Sequence, residues 1–453
     1  MRELLYREQN DGADEDMEDV GDAEPGEEGE EEVGEFYTEG TAELLDARRK
    51  IARYSLPRAA QRTQFQRQES TIPVETHVAH RKHLKSKLAQ FELVGSQIAS
   101  ERPVSMLRFA PAGDVVACGD WGGSVKILDV ETLETKRVLR GHKGMVGGIA
   151  WKPDHLNLSA QISDNDNDNE TSSTLDLASG GGEGAINLWT LTLETPLATL
   201  TGHAARVVRT EFHPSASYLA SASYDTTFRL WDLQTQQTLL VQEGHSKEVY
   251  TVAFSPEGSL LASAGLDSIG RIWDLRTGRT VMLLEGHVGP VHALDWAPEG
   301  TRVVSGSADG FAKVWDLRAV REVASLGAHR GGVADLRWFK GLDGPFSGKP
   351  LKSKDVEMAD TDKETTDAES EPDSRGLRAG LQPKVSGTFL LTAGFDSKVN
   401  IFSADDWSLS RSLTGHDGTV LAVDVTSGGE WIGSCGRDRS VKIWGRGDGE
   451  GVY

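Results

Sequence analysis

Residues 244–274 read GHSKEVYTVAFSPEGSLLASAGLDSIGRIWD. Gly244-His245 opens the stretch, short apolar runs follow, and Trp273-Asp274 closes it. The same grammar begins forty-two residues earlier at Gly202-His203 and forty-two residues later at Gly286-His287. Self-similarity at this period marks a repeat architecture, whose units bury their apolar faces only by stacking on one another. The rest of the chain is an arm, an insertion or another copy of this unit.

A unit that opens on Gly-His and closes on Trp-Asp resembles the WD repeat, one four-stranded blade of a β-propeller. The opening histidines are His142, His203, His245, His287, His329 and His416, and the closing aromatics are Trp189, Trp231, Trp273, Trp315, Phe402 and Trp444. Four units hold these markers 28 residues apart; the unit opened by His142 needs 47 and that opened by His329 needs 73. The excess falls in hydrophilic runs at about 154–176 and 341–384. Both read as surface insertions, since lengthening a loop costs little entropy. An earlier unit, 103–140, closes on Leu128-Asp129 and is degenerate. The expected fold class is all-β, a seven-bladed propeller over 91–453. Its last unit supplies three strands, and an unpaired sheet edge is a liability. The strand-like run 91–98 is therefore expected to be the outer strand of the last blade and to close the ring.

The net charge of −22 is unevenly spread. Residues 11–35 hold fourteen acids and no base, whereas 48–87 hold eleven Lys and Arg against two Glu. The segment 1–35 has too few large apolar side chains to repay ordering and reads as a disordered acidic tail. Residues 36–90 read as a short basic helical arm. Leu44, Leu45, Ala47, Ile51 and Ala52 recur at near-helical spacing, and Pro57 is expected to interrupt them. A second helix is expected over 58–69, and a third, beyond Pro73, carrying Leu84, Leu88 and Phe91. Thin in apolar residues, such helices lie on a partner or on their own domain; protein docking is favoured over RNA contact because aromatics for stacking are few. Two cysteines, Cys118 and Cys435, make no disulfide framework. No apolar run reaches the length of a membrane span, and the charged start is no secretory signal.

A hydroxyl and an acid recur ten and six residues before each closing aromatic. The sets are His203, Ser221, Asp225 and Trp231; His245, Ser263, Asp267 and Trp273; His287, Ser305, Asp309 and Trp315; and His416, Ser434, Asp438 and Trp444. A Ser, a His and an Asp invite a hydrolase reading. Repetition argues against it, because catalysis needs one triad and a structural network is needed in every blade. The expected role is a hydrogen-bonded chain from acid through imidazole and hydroxyl to indole. In the first unit Gly122 and Cys118 hold the acid and hydroxyl positions, so that blade is expected to be the loosest. Gly180-Gly181-Gly182-Glu183-Gly184 lacks the Lys-Ser/Thr of a phosphate loop, and no spacing fits zinc or a calcium loop. No cofactor or metal is expected. The residues before the turn acids, Trp121, Tyr224, Leu266, Phe395 and Arg437, are of types that dominate binding hot spots. With Tyr54, Leu56, Pro57 and Arg58 of the arm they are the interface candidates.

Beyond the repeat grammar, the chain resembles the pre-mRNA-processing factor 4 family. The carriers are FYTEG at 36–40, YSLPRA at 54–59, IPVET at 72–76, SQI at 96–98 followed by ERP at 101–103, and GLDSIGRIWDLRTG at 265–278. Arm motifs joined to a propeller are more specific than the fold, which hosts many roles. The resemblance implies a nuclear, non-catalytic scaffold of the U4/U6 and U4/U6·U5 small nuclear ribonucleoproteins, acting in splicing. The partners it implies are pre-mRNA-processing factor 3, the U4/U6 RNA particle and a nuclear cyclophilin. The family carries a small motif before its acidic stretch, and only residues 1–9 stand for it here; the chain is expected to be shortened at its start, which weighs against cyclophilin docking. The competing reading is a WD-repeat adaptor or substrate receptor, for example of a ubiquitin ligase.

Overall fold

The structure, a computed structural model, describes residues 40–153, 175–346 and 383–446. The expected acidic tail, the segment 1–9, the FYTE of the first family motif and most of both insertions lie outside the described residues. Within them the chain forms seven four-stranded antiparallel sheets and two helices.

Blades 1 to 6 occupy 104–140, 146–200, 207–242, 249–284, 291–327 and 333–414, each in simple strand order. Blade 7 takes three strands from 420–445 and its fourth from strand β1 (Glu92–Ile98), which pairs antiparallel with Ser440–Gly445. The ring thus closes through the run expected to close it. Leu93 faces Trp444 and Gln97 faces Val441 in this register.

Burial explains the strand sequences. The second strand of blade 3, Tyr218–Ser223, is buried throughout, because neighbouring blades cover both faces. Outer strands such as Arg279–Leu284 alternate between buried and open positions, having one free face. In every blade the register slips by one residue at the start of the inner strand, a bulge that sharpens the local twist. The residue after each turn acid, or after Gly122 in its place in blade 1, has positive φ, from 65° at Ser268, Ser397 and Arg439 to 90° at Gly123, as the αL position of a tight hairpin requires.

The arm differs from expectation. Helix α1 (Ala42–Glu69) runs straight through Pro57 as a single element, and helix α2 (Val74–Leu88) follows. Pro57 removes one ladder bond, but the helix is anchored to the propeller on both sides of it. Tyr54 Oη donates to Pro214 O at 2.9 Å, and Arg58 Nη2 donates to Pro256 O at 3.3 Å. Thr41 Oγ1 caps the helix by accepting from Leu44 N. Leu44, Ala47 and Ile51 join the core of blades 3 and 4, whereas Leu45 stays exposed. Phe91 lies beyond the second helix, fully buried with Leu84 and Leu88 against Phe339 and Phe389.

Antiparallel blades place their first-to-second and third-to-fourth turns at one end, and their second-to-third turns and blade links at the other. Every arm contact just named uses the first end. Arg62 pairs with Glu257, Arg318 Nη2 donates to Gln66, and Lys384 Nζ sits 3.1 Å from Glu69. Further on, Arg81 and Lys85 reach Asp405 and Asp406. The arm therefore occupies one face of the ring, and the turns bearing the acids lie on the other.

Candidate functional site

The repeated polar sets come together with near-identical geometry. In blade 4, His245 Nδ1 lies 2.7 Å from Asp267 Oδ2, Nε2 lies 2.7 Å from Ser263 Oγ, and Trp273 Nε1 donates to that Oγ at 2.8 Å. Blades 3, 5 and 7 repeat this through His203, His287 and His416. Blade 2 substitutes Glu183 for the aspartate. Blade 6 keeps His329, Thr392 and Asp396, but Phe402 offers no indole. A carboxylate fixes the Nδ1–H tautomer, so Nε2 accepts from the hydroxyl and the hydroxyl accepts from the indole. Burial pushes the Asp225 carboxyl up, but hydrogen bonds from His203 and Thr227 outweigh it and hold it well below the usual carboxylate range. Burial keeps His287, His329 and His416 below the ordinary imidazole value despite their acids. The serines are closed to any substrate: Ser221, Ser263 and Ser434 have no exposed surface. Each set ties the strands of its own blade together through buried side chains.

Blade 1 is not left without cross-ties. Asp120 accepts from Ser100 Oγ and Ser124 Oγ, both at 2.6 Å, and from the N–H groups of Gly122 and Ser124 at 2.9 Å. Cys118, in the hydroxyl position, is buried in a dense apolar cluster. One carboxylate two residues earlier takes the place of the set in bonding this turn.

The sequence reading missed the central channel. Inner strands point alternate side chains at the axis, and here these include Arg108, Arg209, Glu211, Asp295, Asp335, Arg337 and Asp424. Asp335 receives Arg108 Nη1 and Nη2 at 3.0 Å and Arg209 Nη2 at 2.7 Å. Burial pushes the Asp335 carboxyl up, but the two arginines outweigh it and hold it far down. Four acids also accept a backbone N–H from the next blade: Asp424 from Phe109, Asp335 from Val423, Asp295 from Trp338 and Glu211 from Phe254. The signal was a polar residue just before the aromatic that ends several inner strands, but only the fold shows where those residues meet.

The interface candidates divide. Trp121 and Arg437 are exposed on the arm-free face, with the Arg437 guanidinium 5.7 Å from the Trp121 ring. Tyr224, Leu266 and Phe395 are half-buried there. Tyr224, Tyr250, His292 and Phe395 form a chain of ring contacts at 5.2, 5.3 and 5.7 Å across blades 3 to 6. Burial pushes the Tyr250 hydroxyl up to about 12. On the arm, Leu56 and Pro57 point outward, but Tyr54 and Arg58 are turned inward, and Arg58 lies over the Tyr54 and Phe346 rings. Those two hold the arm to its own propeller. No described helix is long and apolar enough to cross a membrane. Among the described residues no group of His, Cys, Asp and Glu is arranged to hold a metal.

Comparison with known proteins agrees with this architecture. Residues 194–232, 236–274, 278–316 and 407–445 match the family described as WD domain, G-beta repeat. The chain is 41% identical over 190 residues to an uncharacterized WD repeat-containing protein of Schizosaccharomyces pombe, covering 42% of this chain and 39% of that one. It is 32% identical over 199 residues to U4/U6 small nuclear ribonucleoprotein PRP4 of Saccharomyces cerevisiae, covering 43% and 40%. It is 36% identical over 118 residues to U4/U6 small nuclear ribonucleoprotein Prp4 of Homo sapiens, covering 26% and 23%. The chain thus covers about two fifths of the length of the first two relatives and under a quarter of the third.

Proposed function

We propose that this chain, a WD-repeat relative of the U4/U6 small nuclear ribonucleoprotein Prp4 proteins, is a non-catalytic scaffold subunit of the U4/U6 and U4/U6·U5 particles that acts in splicing in the nucleus. The observation that carries the reading is the likeness to those two proteins over the WD region. The geometry supports it. Repeated polar sets with buried serines rigidify a ring, one face carries the arm, and the opposite face presents arginine and aromatic side chains of the kind that dominate protein and RNA interfaces. Its protein partner is pre-mRNA-processing factor 3.

The test is affinity purification of the tagged full-length chain from nuclear extract at moderate salt. U4 and U6 RNAs and pre-mRNA-processing factor 3 should be enriched together. Recovery of a ubiquitin-ligase subunit without either RNA would replace this reading with that of an adaptor.

A further inference from the structure

We propose that the arm-free face of blades 7, 1, 2 and 3 binds single-stranded RNA directly, with Trp121 as a base-stacking platform and Arg102, Arg437 and Arg439 as phosphate ligands. Membership of a ribonucleoprotein does not require such a contact, so the proposal goes beyond the reading above.

The site lies where the ring closes. The carbonyl of Arg439 accepts from Ala99 N just after the closing strand. Ser100 then bonds Asp120, and the Arg102 side chain lies against Gly122. Trp121, 40% exposed, sits in this turn beneath the Arg437 guanidinium. Among the described residues none of these three arginines pairs with a carboxylate, in a chain whose acids exceed its bases by 22. The indole sits beside Gly122, which holds the position of the acid in the other blades.

The basic track continues over the neighbouring blades. A side chain at Gly123 would strike the carbonyls of His142 and Gly144, so the loop bearing exposed Lys143 abuts the Trp121 turn. Two residues on, Met145 Sδ lies 3.0 Å from Arg206 Nη1, and Arg206 stacks over Tyr224 at 4.4 Å. Two arginine–aromatic pairs with a lysine between them alternate flat rings and cations. Nucleobases and phosphates alternate likewise along a strand. An acidic peptide would satisfy the cations but has no repeating planar group for the rings, which is why RNA is the occupant argued for.

The experiment is fluorescence anisotropy of the full-length chain with a labelled oligouridylate of about 15 nucleotides, a length within reach of such tracks, over a series of salt concentrations. Trp121→Ala should weaken binding at least fivefold and Trp121→Phe should restore most of it. Replacing Arg102, Arg437 and Arg439 together by Ala should weaken binding at least tenfold and flatten the log–log salt slope by about two, at roughly 0.7 per phosphate contact. Replacing exposed Arg49, Arg53 and Arg67 on the arm should change affinity less than twofold. Undetectable binding by the parent chain, an unchanged affinity in Trp121→Ala, or a loss that follows the arm variant instead would overturn the proposal. Co-purification with U4 and U6 that survives the Trp121 and triple arginine changes would leave the scaffold reading intact. RNA binding at this face by a chain that recovers neither RNA would do the reverse.

Discussion

A single hydroxyl in each polar set serves two neighbours at once. Ser263 Oγ donates to His245 and accepts from Trp273, and all three are buried. Ser263→Ala therefore strands an imidazole nitrogen and an indole N–H. It should cost about 2–6 kcal/mol in urea unfolding, since two buried groups are orphaned at roughly 1–3 kcal/mol each. These sets were legible from sequence because each is spaced within one repeat, so 28 residues from His to Trp suffice to identify it. The Asp120 network in blade 1 was not legible. It reaches its hydroxyls from Ser100 and Ser124, off the repeat's usual positions, and looks in sequence like a missing motif. Tyr54 and Arg58 were misplaced for a related reason: a motif marks that a residue is used without showing which side of a helix faces its own domain.

Pro57 shows what docking overrides. A proline inside a helix costs about 3 kcal/mol, yet α1 is continuous because contacts before and after Pro57 fix it to the same propeller face. Pro57→Ala should therefore slow local opening. Hydrogen exchange of the α1 amides should fall toward that of the blades, and an unchanged exchange rate would mean the proline is not what limits the arm. Composition could not foresee this, since propensity describes the isolated helix and the anchors are carbonyls of Pro214 and Pro256, far along the chain. The closing strand, by contrast, was legible by counting: six units supply whole sheets, the seventh lacks an edge, and one strand-like run was unassigned.

The ring as a whole is held by its channel as well as its blades. Asp335 bonds both Arg108 and Arg209 from other blades, and Arg108 lies 227 residues away. No periodic reading joins positions so distant, which is why this cluster was missed. Removing one partner of a buried charge group costs about 3–5 kcal/mol, and Asp335→Ala should lower stability by that amount with no local unfolding of one blade. Acid should also loosen the fold early. His287, His329 and His416 sit below their unfolded value near 6.5, and burial pushes His213 down to about 4. Below pH ~6.5 the unfolded chain takes up protons that the folded chain refuses, so stability is complete above that pH and falls toward pH 4. Urea midpoints measured from pH 8 to 4.5 should decline below 6.5, and a flat profile would contradict the buried neutral imidazoles.

At this scale one face is taken by the arm and the other is free, and that division is the central claim. Its most direct measurement is hydrogen exchange of the full-length chain, alone and in the ribonucleoprotein particle proposed for it. The account predicts new protection in the turns around Trp121, Tyr224, Phe395 and Arg437. Protection confined to the outer surface of α1 and α2, with those turns unchanged, would contradict it.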